Sequence, residues 1–102
     1  MLLAHFSLFP IGKGVSLSPY VARSLDIIDA SGLPYKLGPM GTTVEGEYDA
    51  VFALIKQCFA AISQDAERVS LYVKVDWRKN KSGRLQSKID SVEAKVGRDL
   101  SK

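Results

Sequence analysis

From Val69 to Trp77 the chain alternates without a break: Val69, Leu71, Val73, Val75 and Trp77 are separated by Ser70, Tyr72, Lys74 and Asp76. This two-residue period belongs to a β-strand with one buried face, and a helix cannot present it. A strand must pair its backbone donors and acceptors, so other segments have to supply a sheet. The chain has 102 residues, which limits that sheet to a single domain spanning 1–102.

A second alternating run opens the sequence, with Leu2, Ala4, Phe6 and Leu8 against Leu3, His5, Ser7 and Phe9. Pro10 is expected to end this strand, because proline cannot donate to a ladder. A flexible Gly12-Lys13-Gly14 loop leads to Ser18-Pro19, which reads as a helix start with Ser18 as N-cap. Val21, Leu25 and Ile28 form that helix's apolar stripe, and Gly32 supplies a left-handed stop. Two short strands are expected at about 34–39 and 42–45, turning near Met40-Gly41. Val51, Leu54, Ile55, Cys58, Phe59 and Ile62 then mark a second helix, with Glu47 and Asp49 near its positive end. From Arg84, the residues Leu85, Ile89, Val92 and Val96 predict a third, thinner amphipathic helix.

This order predicts an α+β fold. It is a ferredoxin-like βαββαβ antiparallel sheet with two helices on one face and an extra C-terminal helix. The other sheet face, carrying Leu3, His5, Ser7, Phe9, Tyr72 and Lys74, is left open. So much apolar and aromatic surface predicts a ligand or another subunit there.

Hydrophobic residues at 46% and charged residues at 25% exclude wholesale disorder. No apolar run is long enough to span a membrane, and no secretory leader is visible. Cys58 is the only cysteine, which excludes an internal disulfide and fits a cytoplasmic location. Residues 1–67 carry four Lys/Arg against seven acids, and residues 68–102 carry ten against four; the net charge moves from −3 to +6. Such asymmetry can mark an anionic partner or simply a solvated face.

No catalytic constellation stands out, so no enzyme activity, cofactor or metal is predicted. Gly12-Lys13-Gly14 lacks phosphate-loop spacing, and His5 and Cys58 have no companions at metal-ligand spacing. Trp77-Arg78-Lys79-Asn80-Lys81 could touch phosphates or be a solvated loop. Gly41-Thr42-Thr43-Val44-Glu45-Gly46 carries two hydroxyls and a carboxylate, groups able to read the edge of a heterocycle. On the residues alone, the threonines could equally be ordinary strand formers and Glu45 a solvated acid. Glu45→Gln is expected to weaken binding of such a ring by about 1.5–3 kcal/mol, the range for hydrogen bonds to charged groups, and to leave folding nearly unchanged, since a sheet-face carboxylate away from the core contributes little.

Several runs resemble one family. They are Phe6-Ser7, Ser16-Leu17-Ser18-Pro19-Tyr20-Val21, Ser31-Gly32-Leu33, Pro39-Met40-Gly41-Thr42, Glu45-Gly46-Glu47 and Arg68-Val69. In this order they resemble the small thiamine-binding protein family, relatives of the YkoF-like thiamine-binding domains. His5 and Trp77 depart from the pattern that resemblance leads one to expect. The resemblance implies non-catalytic binding of thiamine or its hydroxymethylpyrimidine moiety, as a carrier or sensor, and self-association into dimers or tetramers. Combined with the residue types, it predicts a ligand site of Phe6, Ser7, Phe9, Thr42, Thr43, Glu45 and Tyr72, near the sheet face at a subunit interface. The competing class is an RNA-binding module on the open sheet. It is disfavoured because the 42–45 strand is acidic and lacks aromatics. An acylphosphatase-like activity would want an arginine in the loop after the first strand, where only Lys13 is present. The prediction is therefore a small-molecule partner, with no specific nucleic acid and no membrane.

Overall fold

The two alternating runs find each other. β1 (Leu2–Ile11) and β4 (Arg68–Trp77) are both ten residues long and pair antiparallel end to end, from Leu2 opposite Trp77 to Ile11 opposite Arg68. The computed structural model describes residues 1–80 and 82–101. Between and beyond those strands lie α1 (Ser18–Ala30), β2 (Tyr35–Leu37), β3 (Thr42–Gly46), α2 (Tyr48–Ser63) and α3 (Arg84–Val96). The sheet order is β2-β3-β1-β4, every neighbour antiparallel. β3 therefore sits between β1 and β2, and β1 between β3 and β4, the interleaving of a split βαβ unit.

The predicted α+β architecture holds, and alternation sorts its core. Leu2, Ala4, Phe6 and Leu8 are buried with Val44 of β3, Ile28 of α1, and Val51, Leu54, Ile55, Cys58 and Ile62 of α2. Burial pushes the Cys58 thiol up to about 11, which suits an apolar filler. Phe59, expected on the α2 stripe, is 41% exposed. At 100° per residue it lies about 80° round the helix from Val51, at the margin of the buried arc.

Three further expectations change. Ser18 is not a cap: it already belongs to α1, whose cap position is Leu17 without a side-chain bond. The Leu17 carbonyl instead accepts from the Tyr20 and Val21 amides, both at 3.0 Å. Gly32 does stop the segment, at φ +78°. Pro10 does not end β1 but pairs with Val69 inside it. Finally, the face opposite α1 and α2 is not fully open. α3 begins against it, and Leu3, expected to be bare, is buried. The α3 stripe is covered unevenly: Leu85 and Ile89 are half-buried, whereas Val92 and Val96 are exposed.

Candidate functional site

Backbone parity locates a gap in the sheet. The Glu45 amide donates to the Pro34 carbonyl at 3.0 Å, toward β2. Backbone groups alternate sides along a strand, so Thr43 and Glu45 bond toward β2, while Thr42, Val44 and Gly46 bond toward β1. Their partners there are Phe6, Ala4 and Leu2. The pairing stops at Phe6, yet β1 runs on to Ile11. By the same parity Leu8 and Pro10 aim their backbone groups at the side that β3 has left. Proline is tolerated there because no N–H is needed on an unpaired edge.

The β2–β3 turn explains why β3 starts no earlier. The Gly38 amide donates to the Gly41 carbonyl at 2.8 Å, closing the turn. A Cβ on Gly41 would lie 2.7 Å from His5 Nε2 and 2.8 Å from the Phe6 carbonyl oxygen, so only glycine permits this approach. Beyond it the turn departs from β1 and leaves a cavity of about 370 Å³. Residues 6–9 of β1, one face of α1 from Ser18 to Ile28 and the 37–42 segment form its walls. Phe6, Phe9, Leu17, Val21 and Met40 give it apolar and aromatic surface. Ser7, Ser18, Ser24 and Thr42 are the hydroxyl-bearing residues of its lining; among the described residues, no charged residue lines it. Ser24 is 6% exposed, and its Oγ has no hydrogen-bond partner among the described residues. A wider hollow of about 610 Å³ between α1 and α2 is lined by Ala30, Ala60, Ala61 and neighbouring residues, with no unpartnered buried side chain among the described residues.

The other end of β3 is charged. Glu45 is 4% exposed and its Oε2 accepts the Arg84 amide at 2.8 Å, at the start of α3. Arg84, also buried, places Nη2 2.5 Å from Asp76 Oδ2 and donates from Nη1 to the Asp76 carbonyl at 3.4 Å. Lys88 pairs with the same Asp76 oxygen. Hydrogen bonding from Lys88 and Arg84 holds the Asp76 carboxyl below the usual carboxylate range. Between them in sequence, Gln86 Oε1 accepts from Lys36 Nζ of β2 at 2.6 Å. These contacts fasten the first turns of α3 to the sheet.

A model of the thiamine-binding protein family matches residues 4–93, which include both ends of β3. The chain belongs to that family. It is 38% identical over 98 residues to the UPF0045 protein YqgV of Bacillus subtilis, covering 90% of this chain and 94% of that one. It is 30% identical over 91 residues to the UPF0045 protein MJ1052 of Methanocaldococcus jannaschii, covering 89% and 91%. The crystal structure of MJ1052 superposes with a TM-score of 0.83, over 89% of this chain and 94% of that one. A Thermotoga maritima protein, provisionally assigned to thiamine biosynthesis or salvage, has the same fold at 23% identity and a TM-score of 0.78, over 89% and 97%.

Within this family fold, the residues singled out from the sequence separate into groups. Phe6, Ser7, Phe9 and Thr42 meet at the neutral cavity. Thr43 faces the opposite side of the sheet, where its Oγ1 lies 3.1 Å from His5 Nδ1. Tyr72, 59% exposed, stands across from Ser7 on β4 and does not line the cavity. Glu45 lies at the other end of β3 and is bonded to α3; it is therefore not the solvated sheet-face acid its spacing suggests. Of the basic loop 77–81, Trp77 to Asn80 are exposed, and Lys81 lies outside the described residues. Ser24 was not among the expected residues. Its signal was present: it occupies a core-facing place between Val21 and Ile28 and interrupts an apolar stripe with a hydroxyl. Among the described residues no helix is long and apolar enough to cross a membrane, and no three His, Cys, Asp or Glu gather as metal ligands.

Proposed function

We propose that this member of the thiamine-binding protein family is a non-catalytic cytoplasmic carrier or sensor that holds thiamine through its pyrimidine ring. The observation that carries this reading is a cavity with aromatic and hydroxyl-bearing walls and, among the described residues, no charged lining. Such walls suit a flat, uncharged heterocycle, and hydroxyls adapt as donor or acceptor to its ring atoms. A thiazolium cation would gain nothing from an uncharged apolar interior and would lose hydration, so it belongs outside the mouth. Phe6, Ser7, Phe9 and Thr42 therefore form the proposed contact set, with Ser24 added. Thr43, Glu45 and Tyr72 serve elsewhere: the first two on the face α3 approaches, and Tyr72 on the surface.

RNA binding is the weaker reading, because α3 begins on the sheet face that bases would need. What remains of that face, with the exposed Tyr72 and Lys74, is the proposed surface for self-association into dimers or tetramers. Calorimetric titration with thiamine and with hydroxymethylpyrimidine tests the function. Both should bind, with affinities within about tenfold, because the group they share enters the cavity. If neither binds at millimolar concentration, the reading is overturned.

A further inference from the structure

We propose that the polar reader of this cavity is the unpaired edge of β1 at Leu8, backed by the Ser24 hydroxyl. It would select a flat neutral heterocycle that carries an acceptor and a donor side by side. This inference rests on the cavity being the pyrimidine site.

The parity that pairs Phe6 with Thr42 turns the Leu8 N–H and C=O to the same side of β1, where β3 has ended. Leu8 lines the cavity. In an antiparallel ladder a residue in this position gives one hydrogen bond and accepts one from the residue opposite. A ring nitrogen beside an exocyclic amino group offers the same two functions in the same order. The nitrogen accepts from Leu8 N–H, and the amino group donates to Leu8 C=O. The heterocycle thus takes the ladder place of the strand residue that is missing. Pro10, the next residue of that parity, has no N–H, so Leu8 alone offers both functions and the ring has one register.

Ser24 supplies the second, independent observation. A hydroxyl inside a helix ordinarily turns back to a carbonyl one turn earlier or reaches solvent. Ser24 lines this cavity, and its hydroxyl is buried with no partner among the described residues. Leaving a buried hydroxyl unbonded costs the ligand-free protein stability, which a ligand atom would recover. Because a hydroxyl can donate or accept, rotation of the Ser24 side chain suits it to either kind of ring atom.

The test compares 4-amino-5-hydroxymethyl-2-methylpyrimidine with its 4-oxo analogue, in which donor and acceptor exchange places. Calorimetry should show the oxo analogue bound at least about tenfold more weakly, as expected where a site's polar groups are left facing like groups. Amide exchange followed by NMR should slow at Leu8 when the amino compound saturates the protein. Ser24→Ala should weaken binding by about fivefold while the Tm of the ligand-free protein stays level or rises, since the unsatisfied hydroxyl is gone. Equal affinity for the two rings, unchanged exchange at Leu8 in the saturated complex, or full affinity in Ser24→Ala overturns this inference and leaves the proposed function standing. Absence of binding by either thiamine or the aminopyrimidine overturns both.

Discussion

The two ends of β3 use polar groups in opposite ways. At the Glu45 end, charges are bonded within the protein: buried Glu45 to the Arg84 amide, and buried Arg84 and exposed Lys88 to half-buried Asp76. At the Thr42 end the polar groups are neutral, and one of them, Ser24 Oγ, has no partner among the described residues. A buried polar group bonded inside the protein holds structure, and one left unbonded beside a cavity lowers stability until something binds. The contrast gives the Glu45 end the role of holding α3 on the sheet, and the proposed function gives the Thr42 end that of recognition. It also reverses the simplest reading of the strand, in which the carboxylate is the natural anchor for a cationic vitamin.

The strongest test of that division is Glu45→Ala. It leaves the buried Arg84 amide without its acceptor, and hydrogen bonds to charged groups contribute about 1.5–3 kcal/mol, so stability should fall by that order. Urea unfolding of the ligand-free protein measures it. The affinity for hydroxymethylpyrimidine, measured well below the unfolding transition, should not change. A variant that keeps its stability but loses ligand would exchange the roles of the two ends.

Thr42→Val is the reciprocal experiment, with a smaller effect. It preserves shape while removing a hydroxyl that lines the cavity, and a neutral hydrogen bond contributes about 0.5–1.5 kcal/mol, so affinity should fall a few-fold to about tenfold. Stability should scarcely move, because no bond from that hydroxyl is seen to hold the fold. If Thr42→Val unfolds more readily and binds as before, Thr42 belongs with the structural end.

Much of this division was invisible along the chain, for identifiable reasons. Period-2 alternation found β1 and β4, and period-3.6 stripes found the three helices, because both signals are local. Pro10 was misjudged since its effect depends on which side of β1 is paired, a property of β3 and not of β1. The Gly41-Thr42-Thr43-Val44-Glu45 run looked like one cluster of ligand groups. A strand sends Thr42 and Thr43 to opposite faces, and α3 then covers Glu45 from almost forty residues away. Arg84, Asp76 and Lys88 gave no local sign of meeting, since each looks like an ordinary surface charge in its own segment. Ser24 was legible in principle as the hydroxyl on an apolar stripe. The missing backbone partner at Leu8 becomes visible only once strand ends can be compared.

The smallest predicted effect sharpens the charged end through pH. Arg84 and Lys88 hold the Asp76 carboxyl below its ordinary value in the folded protein. A group whose pKa is depressed by folding adds stability above its unfolded value, about 3.9 for aspartate, and that stability is lost as pH falls through the lower folded value. The Asp76 side chain is nearly half exposed, at 46%, so solvent and salt screen the pair and the contribution is modest. Melting temperatures from pH 6 down to about pH 3 should therefore fall less steeply in Asp76→Asn than in the parent, and salt should narrow the difference. Ligand affinity at pH 7 should be the same in both, because Asp76 lies at the end of the sheet away from the cavity. An acid slope identical in the two proteins would mean that Asp76 does not fasten α3. Attachment of the helix would then rest on Glu45 and the half-buried residues Leu85 and Ile89.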